Sequence, residues 1–293
     1  MPDPPLLPAA FLGHGNPMNT LETNRYTESW RRFGEGCGTP RAVLVVSAHW
    51  FTNATAVTAM QQPRTIHDFY GFPRSLSEFE YPAPGSPELA EEIAEAVLPD
   101  RIGLDKGSWG LDHGAWSVLA HAFPSADVPV VQLSINALKP FDYHLEIARR
   151  LAPLRSQGVV VVCSGNVVHN LGRVEWDSPD GAFDWAQRFD ERARQVMTES
   201  PAELASLEKD PDFRLAAPTP DHFIPLIYLA GLADASGRSV KTLVEGYAYG
   251  SVSMTAYTLG APEGTAESVK LSRDEGLPLM PDPSAIPADQ TNL

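Results

Sequence analysis

Five of the eight histidines stand where an apolar run begins or ends. His14 follows AAFLG and sits inside GHGNP, and His49 closes VLVVSAHW. His169 comes just after a strand-like run, in SGNVVHN. His222 opens a buried helical pattern in TPDHF, and His113 lies between Asp112 and Gly114 in LDHGAW. Neutral imidazole is the commonest nitrogen ligand for zinc, iron, copper and nickel. Several imidazoles buried together without a cation compete for few acceptors, and they repel one another when protonated. A divalent ion removes both problems, so the pattern points to a metal site assembled from dispersed histidines. Glycines beside His14 and His113 leave room for a ligand to approach the backbone. His121, after WSVLA, and His144, in an amphipathic stretch, read as ordinary packing or surface residues.

No local motif supplies an alternative chemistry. The chain has no HExxH, no zinc-finger cysteine pairs, no GxSxG elbow and no P-loop, and GHGNPMNTLE lacks the third glycine of a dinucleotide fingerprint. The two cysteines, Cys37 and Cys163, make no disulfide framework, and Cys163 inside VVVVCSGN reads as a small buried hydrophobe. A formal net charge of −15 argues against attraction to nucleic acid or to an anionic membrane. No run approaches the roughly 18 apolar residues that span a bilayer. The opening MPDPPLLPAAF does not have the make-up of a signal peptide. The expectation is a cytoplasmic protein, monomer or homodimer.

Residues this far apart must be gathered by a sheet. Apolar runs rich in β-branched residues predict buried strands at 8–13, 42–50, 128–135 and 158–165, with weaker candidates at 55–60 and 240–246. They are apolar on both faces, as in sheets covered on both sides. Helical patterns lie between them at 86–98, 142–154, 183–199 and 220–233. The alternation predicts a single α/β domain over residues 1–261, followed by a polar, proline-rich tail over 262–293, flexible or draped on the surface. In parallel α/β sheets ligands bind outside the carboxyl ends of the strands. The ends after residues 13, 49 and 165 then share one edge.

Eight blocks in order carry a resemblance. FLGHGNPMN, VVSAHWFT, TIHDFYGFP, YPAPGSPELA, WGLDHGAWSVL, VPVVQLSI, SGNVVHNL and PTPDHFIPLIYLAG resemble the 4,5-DOPA extradiol dioxygenase family, within the class III, LigB-type ring-cleaving enzymes, from about residue 8 to residue 256. The resemblance implies a central mixed, largely parallel sheet flanked by helices. It also implies non-haem Fe(2+), with Zn(2+) possible in the same pocket, and cleavage of a catechol by O2. On the matching motifs it implies His14, His49, His169 and His222 as metal residues, with His113 and His169 as acid/base candidates. The third ligand position stays open between His222 and a carboxylate, for which Glu245 in LVEGYAYG is one candidate. Expected substrate contacts are His67, Phe69 and Tyr70 in the aromatic TIHDFYGFP stretch, together with Asp112. Trp50 and Trp116 read as core. Two other functions fit a histidine site: a zinc hydrolase using a bound hydroxide, and a metal-binding protein of the same fold without turnover.

Overall fold

The computed structural model describes residues 6–262 and 264–265. The expected tail therefore lies almost wholly outside the described residues. The strands are β1 (Ala9–Gly13), β2 (Ala42–Thr52), β3 (Ala56–Thr58), β4 (Gly103–Asp105), β5 (Val130–Asn136), β6 (Val159–Gly165), β7 (Val240–Val244), β8 (Tyr247–Ala248), β9 (Val252–Ser253) and β10 (Ala256–Leu259). The helices are α1 (Arg25–Gly36), α2 (Arg74–Ser77), α3 (Pro87–Ala96), α4 (His113–Ala122), α5 (Phe141–Leu151), α6 (Asp184–Glu199), α7 (Phe213–Ala216) and α8 (Ile224–Ser236).

Eight strands form one sheet in the order β4-β3-β5-β2-β6-β1-β10-β7, and β8 and β9 pair as a separate hairpin. The four central strands β5, β2, β6 and β1 are mutually parallel. β10 joins β1 antiparallel and β7 joins β10 antiparallel, while β3 runs antiparallel to β5. The sheet is mixed with a parallel heart, as the sequence led us to expect.

Strand alternation builds two cores. Phe11, Leu44, Val46, Val161 and Cys163 point to one face, where α5, α8 and α3 contribute Ile147, Ile227 and Ile93. Leu12, Val43, Val45, Val160 and Val162 point to the other, against Trp30 and Phe33 of α1 and Trp116 of α4. Both faces are covered, which is why the strand runs lack a polar alternation. Trp116 is fully buried and donates its indole N–H to the Ile66 carbonyl, and Trp50 stacks on Trp109 in the interior.

Three details bear on the site. β2 pairs with β5 at Val43–Val46 and again at Phe51–Thr52, with its register broken between Val46 and Phe51. His49 lies in that irregular stretch, freed from the regular ladder. α4 opens at His113 because Asp112 caps it, accepting the Ala115 N–H at 3.1 Å. The helix expected from 220 begins only at Ile224. Residues 220–223 turn instead, and the His222 carbonyl accepts the Asn166 N–H at 2.9 Å, beyond the end of β6. That turn lies so close that a Cβ on Gly165 would sit 2.3 Å from the His222 oxygen.

Candidate metal centre

Four imidazoles meet beyond the carboxyl ends of β1, β2 and β6. His14 continues from β1, its N–H bonded to the Gly165 carbonyl. Its Nδ1 lies 2.9 Å from Ser164 Oγ, which in turn donates to the Gly114 carbonyl at 2.5 Å. The single serine hydrogen is used there, so Ser164 can only accept from His14, and the His14 proton sits on Nδ1. His49 Nδ1 lies 3.2 Å from one oxygen of Asp68, and His113 Nδ1 lies 2.9 Å from the other. The backbone N–H of His113 also donates to Asp68, at 3.0 Å, so the carboxylate is seated at the positive end of α4. His222 Nδ1 bonds to Asp221.

Each ring thus gives its Nδ1 proton to an acceptor and keeps a lone pair on Nε2. His14 Nε2 and His49 Nε2 are 3.2 Å apart. Among the described residues, His113 Nε2 and His222 Nε2 are buried without a hydrogen-bond partner. The ligand atoms of His14, His49 and His113 all fall within 4.8 Å of one another, and the His222 ring centroid is 5.3 Å from that of His14 and 5.0 Å from that of His49. Lone pairs facing each other in a dry pocket are unfavourable without a cation. The outer hydrogen bonds to Ser164, Asp68 and Asp221 are those that fix and strengthen imidazole ligands. Two mostly buried carboxylates facing neutral rings also leave two negative charges for a divalent ion to balance. The residues fit a divalent metal of the iron or zinc type.

The electrostatics agree with neutral rings at His14, His113 and His222. Burial, then the neighbouring histidines, hold His14 far below the ordinary imidazole range. Burial lowers His113 and His222 against the opposing charges of Asp68 and Asp221. Burial pulls His49 down as well, but its hydrogen bond to Asp68 and the charges of Asp68, Asp112 and Asp221 outweigh it and raise the ring. Burial favours the neutral acids, yet the paired imidazoles keep Asp68 and Asp221 well below the usual carboxylate range.

His169 has a different place. Its ring lies face to face on His222, centroids 3.5 Å apart and planes 8° apart. In-plane lone pairs of two stacked rings run along nearly parallel lines, so one ion takes only one of the pair. The expectation that both act as ligands of a single ion does not fit this stack. His169 lines two openings. One is walled by Leu171, Val174, Trp176, Tyr249 and Val252, and the other by Asn170, Thr219, Asp221 and His222.

The expected substrate contacts separate. Phe69 is buried edge-on to His113, ring centroids 5.6 Å apart. His67 bonds through Nε2 to the Phe79 carbonyl and packs on Trp116. Tyr70 is exposed. Asp112 is fully buried and faces Ser47, Gln132 and Trp109 rather than an opening. Glu245 is an exposed residue 3.8 Å from Arg194. The carboxylates that reach the histidines are Asp68 and Asp221, one bond further out than a ligand. Gly13 and Gly114 leave no room for a ligand either. A Cβ on Gly114 would meet Ser47 Oγ at 2.5 Å and His49 Cδ2 at 2.7 Å, and one on Gly13 would meet the Met254 backbone. Sequence reasoning passed over Asp68, Ser164 and Asp221. The only signals were an acid beside a histidine in IHDF and PDHF, and a serine at a strand end.

Residues 4–260 match the family described as the catalytic LigB subunit of aromatic ring-opening dioxygenase. A 4,5-DOPA dioxygenase extradiol from Escherichia coli K12 is 47% identical over 258 residues, covering 87% of this chain and 95% of that protein. A protein of the same name from Beta vulgaris is 38% identical over 240 residues, 78% of this chain and 88% of its own length. The crystal structure of an uncharacterized protein from Escherichia coli K12 superposes with a TM-score of 0.76 at 43% identity, covering 87% of this chain and all of that one. Fold, histidine cluster and sequence agree, and the chain belongs to the LigB family of aromatic ring-opening dioxygenases.

Proposed function

We propose that the chain is an iron-dependent extradiol dioxygenase that opens the ring of a catechol with O2. The observation that carries this reading is the gathering of His14, His49 and His113 with ligand atoms within 4.8 Å of one another and the His222 ring beside them, each Nδ1 engaged by an outer partner. His14 and His49 hold the metal, with His222 as the third ligand. A bound ferrous ion would supply the redox chemistry that joins O2 to a catecholate, and Zn(2+) would occupy the same nitrogens without it.

The chain's own residues supply positioning and proton transfer. His113, neutral and backed by Asp68, takes a phenolic proton at Nε2, and Asp68 stabilises the imidazolium so formed, so that a later proton return comes from the same atom. His169, at the mouth of both openings, orients the substrate and serves as the second proton carrier. Phe69 closes the pocket beside His113 and excludes water. Asp112 positions: it caps α4 and fixes Ser47, whose Oγ accepts the His49 N–H at 3.3 Å.

The test is anaerobic reconstitution with ferrous iron, followed by catechols and air. A yellow ring-opened semialdehyde with one O2 consumed per catechol is the expected result. Ester or amide hydrolysis by the zinc-loaded protein, with no O2 uptake by the iron form, would replace this reading with a hydrolase.

A further inference from the structure

We propose that the hollow between the end of α8 and the β7–β10 edge of the sheet is an anion site, in which Arg155, Arg238 and Lys241 take the phosphate group of a small phosphate ester. It lies where β1 begins and β10 ends, at the other end of β1 from the metal centre, and is independent of the chemistry there.

The hollow encloses about 440 Å³, room for a phosphate and a small group attached to it. Its walls are residues 237–239, Lys241, Thr258 and residues 260–261. Lys241 of β7, the edge strand, stands directly opposite Thr258 of β10. Arg238 and Lys241 are exposed, and Ser239 adds a hydroxyl between them. Among the described residues, neither cationic side chain makes a hydrogen bond or ion pair.

Arg155, between α5 and β6, completes the cluster from within. Gly260 lies between it and Arg238: a Cβ there would sit 3.0 Å from Arg155 Nη2 and 3.8 Å from Arg238 Nη1. The φ of Gly260 is +79°, so both backbone and space demand a residue without a side chain. The space that the missing Cβ leaves is thus flanked by two guanidinium groups. Arg155 is fully buried. Its Nε donates to the Leu7 carbonyl at 2.7 Å and its Nη2 to the Leu259 carbonyl at 3.0 Å, while Nη1 has no partner among the described residues. The two carbonyls tie the start of β1 to the end of β10, but they do not neutralise the charge. Burial, and then repulsion from Arg238, pull Arg155 down to about 10, so it is still a cation at neutral pH. A buried cation without a counter-charge is costly, and an anion seated against Gly260 supplies that charge.

The donors select the anion. The carbonyl end of α8 favours cations at Arg238 and Lys241 whatever their role, but it does not account for buried Arg155, which stands off that helix. Guanidinium forks match pairs of oxyanion oxygens, and an ammonium adds a point charge. A single carboxylate engages one fork and leaves two positive charges over, whereas a phosphate dianion has oxygens for all three groups. In a chain of net charge −15, the attraction must come from this cluster and not from the protein as a whole. Among the described residues no aromatic side chain lines the hollow, so nothing there stacks on a nucleobase, and the group beyond the phosphate is small and polar.

The test titrates inorganic phosphate into the full-length protein by isothermal calorimetry, at an ionic strength held constant with chloride. One saturable site is expected, with glycerol 3-phosphate binding at least as tightly as phosphate and glycerol not binding. Arg238→Gln and Lys241→Gln, both exposed, should each weaken binding on the order of tenfold, the worth of one charge-assisted hydrogen bond. Arg238→Lys should recover only part, because an ammonium lacks the fork. Saturating phosphate should raise the Tm of the parent and lose that effect in the two glutamine variants. A phosphate site that both variants leave unchanged lies elsewhere and overturns the assignment. No saturable heat overturns it as well, and a rise in Tm shared equally by parent and variants is general exclusion of salt from the surface and counts against a site.

Discussion

Replacing Asp68 by asparagine separates a metal centre from a chance gathering of histidines. Asp68 accepts from His49 Nδ1 at 3.2 Å on one oxygen, and from His113 Nδ1 and the His113 N–H at 2.9 and 3.0 Å on the other. An amide has one acceptor oxygen, and its nitrogen only donates. If the oxygen keeps the two bonds to His113, the NH2 group faces His49. That ring must then accept at Nδ1 and carry its proton on Nε2, the atom 3.2 Å from His14 Nε2. The proton occupies the lone pair that a metal needs. Loss of such an outer partner costs about 10–100-fold in metal affinity, or about 1.4–2.7 kcal/mol. The upper half of that range is expected, because the displaced proton sits on a ligand atom and the carboxylate's negative charge is lost with it. The assay is competition for zinc with a chromophoric chelator at neutral pH, with Asp68→Glu as a partner-preserving control. A dissociation constant within about threefold of the parent in Asp68→Asn would refute the tautomer argument and with it the assigned Nε2 lone pairs.

Other expectations are as direct. Alanine at His14, His49 or His222 should leave substoichiometric metal by elemental analysis, while His113→Ala keeps its metal and loses roughly 10²–10⁴ in turnover; metal loss in His113→Ala with full occupancy in His222→Ala would exchange their roles. Gly114→Ala should displace Ser47 and His49, since its Cβ would lie 2.5 and 2.7 Å from their side chains, and lower both thermal stability and metal content; a fully loaded variant of unchanged Tm would count against that packing. Asp190 titrates near 6 against a reference of 3.8, chiefly through burial, so it binds its proton more tightly when folded. Its contribution is therefore fully present below about pH 4 and is lost as pH rises through about 6, a fall on the order of 3 kcal/mol. Urea midpoints should show Asp190→Asn gaining on the parent between those pH values, and parallel curves would show that the buried carboxyl does not titrate there.

The parts of the fold visible in the sequence are those whose pattern is local. β1, β2, β5 and β6 are β-branched apolar runs, and α3 carries its Ser86 cap and early proline in plain sight. α4 escaped because it is buried almost all round, so HGAWSVLAHA has no polar stripe to mark a period. β10 escaped because AYTL is four residues long and owes its strand to β1 on one side and β7 on the other. The histidines could be picked out by where each stands in its own segment, and His121 and His144 do lie outside the cluster, bonded to the Asn19 carbonyl and the Tyr228 hydroxyl. What joins the cluster could not be picked out. Ser164 meets His14 across 150 residues and Asp68 meets His113 across 45, and no spacing rule encodes a hydrogen bond that exists only once the sheet is closed.

The neighbour of β1 on one side is β10, with Ala9 opposite Leu259 and Phe11 opposite Tyr257, and the Met254 backbone packs behind Gly13. The strand that carries His14 therefore lacks a flank until roughly 250 further residues have been made, on the order of ten to fifty seconds of synthesis. That side of the pocket is walled only once β10 has paired with β1. An all-imidazole pocket ranks zinc above ferrous iron by intrinsic affinity. With such a ligand set, preference for ferrous iron would have to come from metal supply and not from the imidazoles themselves.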